Sequence, residues 1–557
     1  MRTLGDMPFD VISRRMTVTR LVACVLVASI AVGCAGRLQS SSSSATGASA
    51  STIPSSGAAS ASPTAISPAV SWPPTQTLTA GRTDAPCAGG GGNAPAPGRP
   101  NGWPVILGEM GQFPRIGLDG MSYVVEDMKL TAIDATGREP AGWPVKLNID
   151  PVTDRGYAPT DVEIGSDGTI YVAGGDRIQA FHPDATPVSG WPYRTRGFPY
   201  SGFVPAVLPV AEGVYTDANA GEVVLLGRDG APRPGWPVPL PGASGAANAS
   251  TRLLLGPDGT LYIDDLTADA IYAYGSDGNL KLGWPLLGWS EMTFDPSGRM
   301  YVWKHRSEAP AGTRYSAGGY SGPAIETDIA GVDSAGRLYP GWPLKLNGPV
   351  SQPAFGPDGT VYATRGTSYG PSSPQTTGTS ATLLAFDQAG NVRPGWPVSL
   401  PAGYWVLGSE PGISQAASDP PAIAPNGSVY VIAVKDAATG SGDNVVFAVL
   451  PNGRPAPGWP RGLGAAQLSN VVFDQTGYGW LATGTFIYLV SDNRILGLQS
   501  DGTLASGWPL SRPCGAAPQW VRQTPDGGLL VLWNAGAKPY DGTLEMRYRA
   551  DGSVAGS

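Results

Sequence analysis

Short runs of β-branched and aromatic residues alternate along most of this chain with phrases built from Gly, Pro, Asp and Ser. One stretch contains the whole pattern. Ala354-Phe355 is followed by Gly356-Pro357-Asp358-Gly359, then Val361-Tyr362-Ala363, then after an insertion Leu384-Ala385-Phe386, Asp387-Gln388-Ala389-Gly390 and Gly395-Trp396-Pro397-Val398. Pro-Asp-Gly and Asp-x-x-Gly supply residues that accept the backbone angles of tight turns, and the runs between them have strand composition. The pattern predicts four strands, A to D, joined by turns. Strand D, which carries Trp396-Pro397-Val398, belongs at an edge, because a residue without an N–H is excluded from a sheet centre.

The phrase recurs through the chain. Gly-Trp-Pro appears at Trp103, Trp143, Trp191, Trp236, Trp284, Trp342, Trp396, Trp459 and Trp508. The A–B turn recurs at Asp119, Asp167, Glu212, Asp258, Ser297, Asp358, Asn426, Thr476 and Asp526, each followed by Gly. Units of roughly 40 to 60 residues, made of short strands and turns, predict a β-propeller. The last A–B–C set runs out of chain before any Gly-Trp-Pro, while the first Gly-Trp-Pro has no set in front of it. The N-terminal strand around Trp103 is therefore expected to supply strand D of the final blade and close the ring. The expected fold is all-β, a single propeller of nine four-stranded blades, with eight blades and one degenerate unit as the alternative.

Ile170-Tyr171-Val172 with Ile178-Gln179-Ala180-Phe181, and Leu130-Thr131-Ala132-Ile133-Asp134-Ala135-Thr136-Gly137 with Trp143, resemble the repeats of pyrroloquinoline-quinone-type propellers. The resemblance spans about residue 101 to the C-terminus and implies an architecture, because such folds host unrelated activities. The quinoprotein dehydrogenases of that family pair adjacent cysteines over the cofactor. This chain has no adjacent cysteines, so no quinone or other cofactor is expected.

The N-terminal hundred residues read differently. Arg14, Arg15 and Arg20 precede an apolar run from Leu21 to Val32, and Ala31-Val32-Gly33-Cys34 resembles the lipobox of bacterial lipoproteins, whose cysteine becomes lipidated. Residues 1–34 are accordingly read as a lipoprotein signal, residues 35–100 as a Ser/Ala/Pro/Gly-rich disordered tether, and residues 101–557 as the propeller. This places the protein outside the cytoplasm, lipid-anchored to a bacterial membrane. Of the four cysteines, Cys24 lies within the signal and Cys34 is the lipidation site, which leaves Cys87 and Cys514. In an export compartment the expectation is a disulfide between them, near the seam of the ring.

Charge narrows the partners. A net charge of −8 with only 14% charged residues argues against nucleic acid. A monomer is expected. In a four-stranded blade the A–B and C–D turns share one face, and here they are short. The B–C loops and D-to-A crossovers share the other face and carry the long individual segments, where binding is expected. Candidate ligand-binding residues on this loop face are Arg194, Arg196, Tyr200, Trp289, Lys304, His305, Arg306, Arg365, Tyr404, Trp405, Trp520 and Arg522. Aromatic rings beside Arg and Lys suit a glycan or an acidic peptide.

Catalytic signals are sparse. His182 and His305 are the only histidines, and no metal-ligand spacing or calcium loop occurs. No catalytic or metal-binding residue is therefore assigned. Asp150, Asp154, Glu291, Glu410 and Asp419 fall on the loop face, where a pair could serve a lyase, lactonase or glycosidase. The first expectation is a binding or scaffold module for a glycan, peptide or protein. The alternatives are a propeller enzyme using loop-face carboxylates and an envelope assembly factor presenting loops to a partner protein.

Overall fold

A computed structural model describes residues 70–77, 84–85, 102–103 and 105–107, and then most of 114–555. Residues 1–69 and 86–101 lie outside it, as do 149–160, 196–205, 241–250, 308–323, 369–380, 408–419, 436–443, 465–471, 474–480, 535–542 and several shorter pieces. Among the described residues every regular element is a β-strand. The fold is an all-β propeller assembled from successive antiparallel sheets.

Six sheets have the complete four-strand order expected from the repeat. The first contains Arg115–Ile116, Ser122–Glu126, Lys129–Ile133 and Val145–Lys146. The others follow at 161–194, 207–239, 251–287, 291–347 and 354–399. A seventh sheet is built on Val429–Lys435 and Asn444–Val449, and an eighth on Ile487–Ser491 and Arg494–Leu498. The last consists of Ala517–Gln523, Leu529–Asn534 and Thr543–Tyr548. The two inner strands of each complete sheet bury nearly every residue. Tyr171-Val172 and Tyr301-Val302, for example, pack on both faces.

Strand D starts later than the sequence pattern suggests. Its paired residues are Val398–Ser399, with Trp396 and Pro397 just ahead of them. Proline has no N–H to give to the ladder, so pairing begins beyond it. The tryptophan serves a different purpose, because its indole N–H donates to a carbonyl in the C–D turn of the next sheet. Trp143 donates to Pro183 at 3.2 Å, Trp236 to Ser276 at 3.0 Å, Trp342 to Gln388 at 3.1 Å and Trp459 to Ser500 at 2.9 Å. Each ring also meets a tyrosine of its own strand B edge-on or tilted, as Trp236 meets Tyr215 with centroids 5.1 Å apart. The preceding glycine is required by close approach. Gly235 has φ 87°, and a Cβ there would sit 2.0 Å from the Asp277 carbonyl oxygen.

The N-terminal strand Val105–Leu107 pairs antiparallel with Thr543–Tyr548, with Val105 opposite Glu545 and Leu107 opposite Thr543. Trp103 donates to the Ala135 carbonyl of the first sheet at 3.1 Å, repeating the sheet-to-sheet bond seen elsewhere. Val105 and Leu107 share one apolar cluster with Val124 and Ile133 of the first sheet and with Trp520, Leu530 and Leu532 of the last. The N-terminal strand thus pairs with the last sheet and packs against the first.

Part of the segment read as tether is also paired. Gln76–Thr77 runs parallel to Arg461–Gly464 of the seventh sheet. Trp72 donates to the Ser399 carbonyl at 3.0 Å and packs edge-on against Phe447 at 4.9 Å. An apolar ring with a hydrogen-bond donor can fill a groove between two sheets that Ser, Ala and Gly cannot. Further on, Asp84–Ala85 pairs in parallel with Arg512–Pro513.

Candidate functional site

The polar groups at the two ends of the strands are handled in opposite ways. At the short-turn end each acid caps its own turn. Asp167 accepts from the Thr169 N–H at 3.0 Å, and Asp258 accepts from the Thr260 N–H at 3.1 Å and the Lys281 ammonium at 3.0 Å. Partial burial raises the Asp258 pKa, but the bonds from Thr260 and Lys281 outweigh it and hold the carboxyl below its ordinary value. Asp501 is lowered by its bonds from Thr503. These acids are structural caps.

At the loop end, acids are buried and their pKa values are raised. Asp217 lies in the second half of strand B of the third sheet, Gly213–Asn219. Its carboxyl accepts from the Ala206 N–H at 2.7 Å and from the Thr251 hydroxyl of the fourth sheet. Burial nevertheless pushes it up to about 6, against the lowering effect of those two bonds. Asp264 is the last residue but one of strand B of the fourth sheet, Leu261–Asp265, opposite Arg252. It is 0% exposed, and neither of its carboxyl oxygens has a hydrogen-bond partner. Burial, with the negative charge of Glu291 nearby, raises it to about 9, while Arg252 pulls it down.

Glu291 begins strand A of the fifth sheet, opposite Trp303. Gln352, ahead of strand A of the sixth sheet, donates to it at 3.4 Å. Glu291 keeps part of its surface accessible and Arg252 is exposed, so this row opens to solvent above the enclosed Asp264. Packing raises Glu291 to about 7, with Arg252 and the Trp303 indole acting in the opposite direction.

Two neighbouring carboxyls in unequal surroundings separate in pKa. Burial raises both, Asp264 further than Glu291, so Asp264 is the one that keeps its proton at neutral pH and can donate a hydrogen bond. Beside them Arg252 offers a planar donor fork. Such a row can grip hydroxyl or carboxylate groups, and it can move a proton. Among the described residues no group of three or more His, Cys, Asp or Glu side chains could hold a metal ion.

The candidates named from sequence do not converge on this row. Trp289 and Lys304 come together, the ammonium lying 4.4 Å from the indole centroid and donating to the Gly288 carbonyl at 2.7 Å, but Trp289 is only 6% exposed. Trp520 is core between the last and first sheets. Arg194 is exposed on the second sheet, and Arg365 is half-buried on the sixth, where desolvation lowers its pKa. Tyr404 packs edge-on against Phe447 at 5.1 Å, and Arg522 is half-buried in the last sheet. His305 and Arg306 lie in the strand Met300–Ser307 and Trp405 in Tyr404–Leu407, with their side chains outside the described set. Arg196, Tyr200, Asp150, Asp154, Glu410 and Asp419 are outside the described residues, as are Cys34, Cys87 and Cys514. Sequence reading missed Asp217, Asp264 and Arg252 because they lie in runs of strand composition. An acid in the second half of a buried strand B was the signal available.

No protein-family model and no curated protein matches the chain. Solved structures do, and they are propeller-like proteins. A streptogramin B lyase is 11% identical, covering 82% of this chain and 95% of its own, with a TM-score of 0.31. Hydrazine synthase of Kuenenia stuttgartiensis is 11% identical, covering 80% of this chain and 97% of its own, with a TM-score of 0.31. Dihydro-heme d1 dehydrogenase NirN is 12% identical, covering 65% of this chain and 67% of its own, with a TM-score of 0.35. At such identities and scores the likeness concerns the type of fold and says nothing about the chemistry of this chain.

Proposed function

We propose that this protein is a lipid-anchored, extracytoplasmic propeller that binds a glycan, peptide or protein partner at the loop ends of its sheets. The observation that supports this reading is the asymmetry between the two ends. Acids at the turns are satisfied by their own turns, while Arg252, Asp264, Glu291 and Gln352 form a row that opens to solvent and leaves a buried carboxyl unbonded. Unused hydrogen-bonding capacity in a partly desolvated place favours a ligand that completes it. A glycan array probed with the detergent-solubilised full chain tests this. Glu291→Gln is expected to weaken binding by about tenfold, the loss of one charge-assisted hydrogen bond. Wild-type binding is expected to weaken as pH falls below about 7, because Glu291 loses its charge there. Equal binding by wild type and Glu291→Gln at every pH would remove the row from the reading.

The pairing of Asp264 with Glu291 favours one second reading, an enzyme in which Asp264 gives a proton and Glu291 takes one. Formation of product from a bound glycan, lost in both Asp264→Asn and Glu291→Gln, would support it over simple binding.

Anchoring is the other part of the proposal, supported by the lipobox at Cys34. Cys34→Ala is expected to release the protein from the membrane fraction or to block its processing. An unchanged membrane-bound, processed product would refute the anchor. The Cys87–Cys514 disulfide belongs to the same reading. It is supported by the parallel pairing of Ala85 with Pro513, which ends two residues before one cysteine and one residue before the other.

A further inference from the structure

Each sheet closes its C–D turn with a backbone N–H that bonds the carbonyl four residues on, as Asp134 bonds Arg138 in the first sheet and Arg549 bonds Ser553 in the last. Four residues before that donor stands the same inward position of strand C in every sheet. It holds Leu130, Ile178, Val223, Ile271, Ile329, Leu383, Val446 and Ile495, each at most 1% exposed. In the last sheet it holds Glu545, just as deeply buried. Two positions on, where the other sheets have Ala, Gly or Leu, stands Arg547.

Glu545 sits at a particular joint. It pairs with Val105 of the N-terminal strand on one side and with Leu532 on the other. Leu530 and Leu532, beside it on the same face, pack against Val124 and Ile133 of the first sheet. The Ser122 hydroxyl of the first sheet lies beside it, but neither that hydroxyl nor either carboxyl oxygen reaches hydrogen-bonding geometry with a partner.

Charged groups also face it. Glu126 and Lys129 come from the first sheet, with Glu126 accepting from Thr131 at 2.9 Å. Arg522 and Arg547 come from the last sheet. Arg547 is committed elsewhere, donating to the Gly120 carbonyl at 2.8 Å and to Asp526 at 3.2 Å. The N-terminal strand offers only Val105 and Leu107. An ionised carboxylate in this setting has lost water and gained no pairing partner.

We propose that Glu545 is a proton-operated latch on the joint between the last sheet, the N-terminal strand and the first sheet. Protonated, it sits among aliphatic neighbours as its eight counterparts do. Ionised, it favours opening of this joint, where the N-terminal strand and the first sheet meet the last. The direction of the pH effect follows from burial, which is the main cause of a pKa raised from 4.5 to about 8. Glu126 raises it too, and the Ser122 hydroxyl and Arg547 lower it. With the pKa raised in the closed state, the closed joint is most stable below pH 4.5, and that stability is lost as pH rises through about 8. Within that window the opening equilibrium grows about tenfold per pH unit.

Hydrogen exchange on the full chain, corrected for the intrinsic pH dependence of exchange, reads the joint directly. Between about pH 6 and pH 8, opening of Val105–Leu107 and of Thr543–Glu545 is expected to rise about fiftyfold. Opening of Thr382–Phe386 in the sixth sheet, which contains no raised acid, is expected to rise much less. Glu545→Gln should flatten the response at the joint, and Glu545→Leu, which restores the residue type of the other sheets, should flatten it independently should the Gln variant fail to fold. A pH response kept in both variants would overturn the latch. So would a wild-type joint that opens no more with pH than the sixth sheet.

Discussion

Deleting residues 101–107 is expected to replace a single cooperative melting transition with a broad one and to lower stability by roughly 5 kcal/mol. Val105 and Leu107 are each only 2% exposed, and the ladder to Thr543 and Glu545 would be lost with them. The Trp103 bond to Ala135 would go as well, and so would the Gly102 N–H bond to the Gly137 carbonyl at 2.9 Å. What remains is a bare outer edge on Thr543–Tyr548 and two sheets that no longer share a core. Deleting residues 40–65 provides the comparison, since none of those bonds involves them, and its melting curve should match wild type. Differential scanning calorimetry of the two deletions decides the matter. Equal effects would mean that the ring does not close through this strand.

The second large effect is expected at a repeated tryptophan. Trp459 is 1% exposed, lies 5.5 Å from Tyr430 and donates to the Ser500 carbonyl at 2.9 Å. Trp459→Ala would open a cavity between the seventh and eighth sheets and leave that carbonyl without its donor. The expected cost is about 3–5 kcal/mol in chemical denaturation. Trp459→Phe should recover much of the packing without the bond, so the difference between the two variants measures the hydrogen bond. A loss below about 1 kcal/mol in the alanine variant would show that these rings are not what ties adjacent sheets together.

How legible all this was depended on whether repetition carried the signal. The strands, the turns and the outer position of strand D could be read because nine copies of one phrase average out local exceptions. The N-terminal strand could be placed because one Gly-Trp-Pro had no unit of its own. Trp72 could not, since it stands alone among Ser, Thr and Pro with no repeat to compare it with. The site was less legible for a related reason. Aromatic and basic residues in long segments look alike in sequence whether they point to solvent, like Arg194, or fill a core, like Trp520, and only packing separates them. Asp264 was hidden by its neighbours in a strand of Leu, Tyr and Ile. Glu545 was legible in principle, because aligning the nine units on their turns puts one acid in a column of aliphatic residues.

The contrast between turn acids and loop-end acids also divides the molecule electrically. At the turns, Asp134, Asp184, Asp277, Asp333, Asp387 and Asp551 are held below their ordinary pKa by bonds within the turn, some against a measure of burial, and keep their charge well into the acidic range. At the other end, Asp217 and Glu291 gain protons as the medium acidifies toward about pH 6, and Asp264 is already neutral. Mild acid therefore neutralises these three loop-end carboxyls while the turn acids keep their charge. Near pH 5 the charge these acids retain lies at the turns, so a cationic surface would be drawn to the turn acids rather than to Asp217, Asp264 or Glu291.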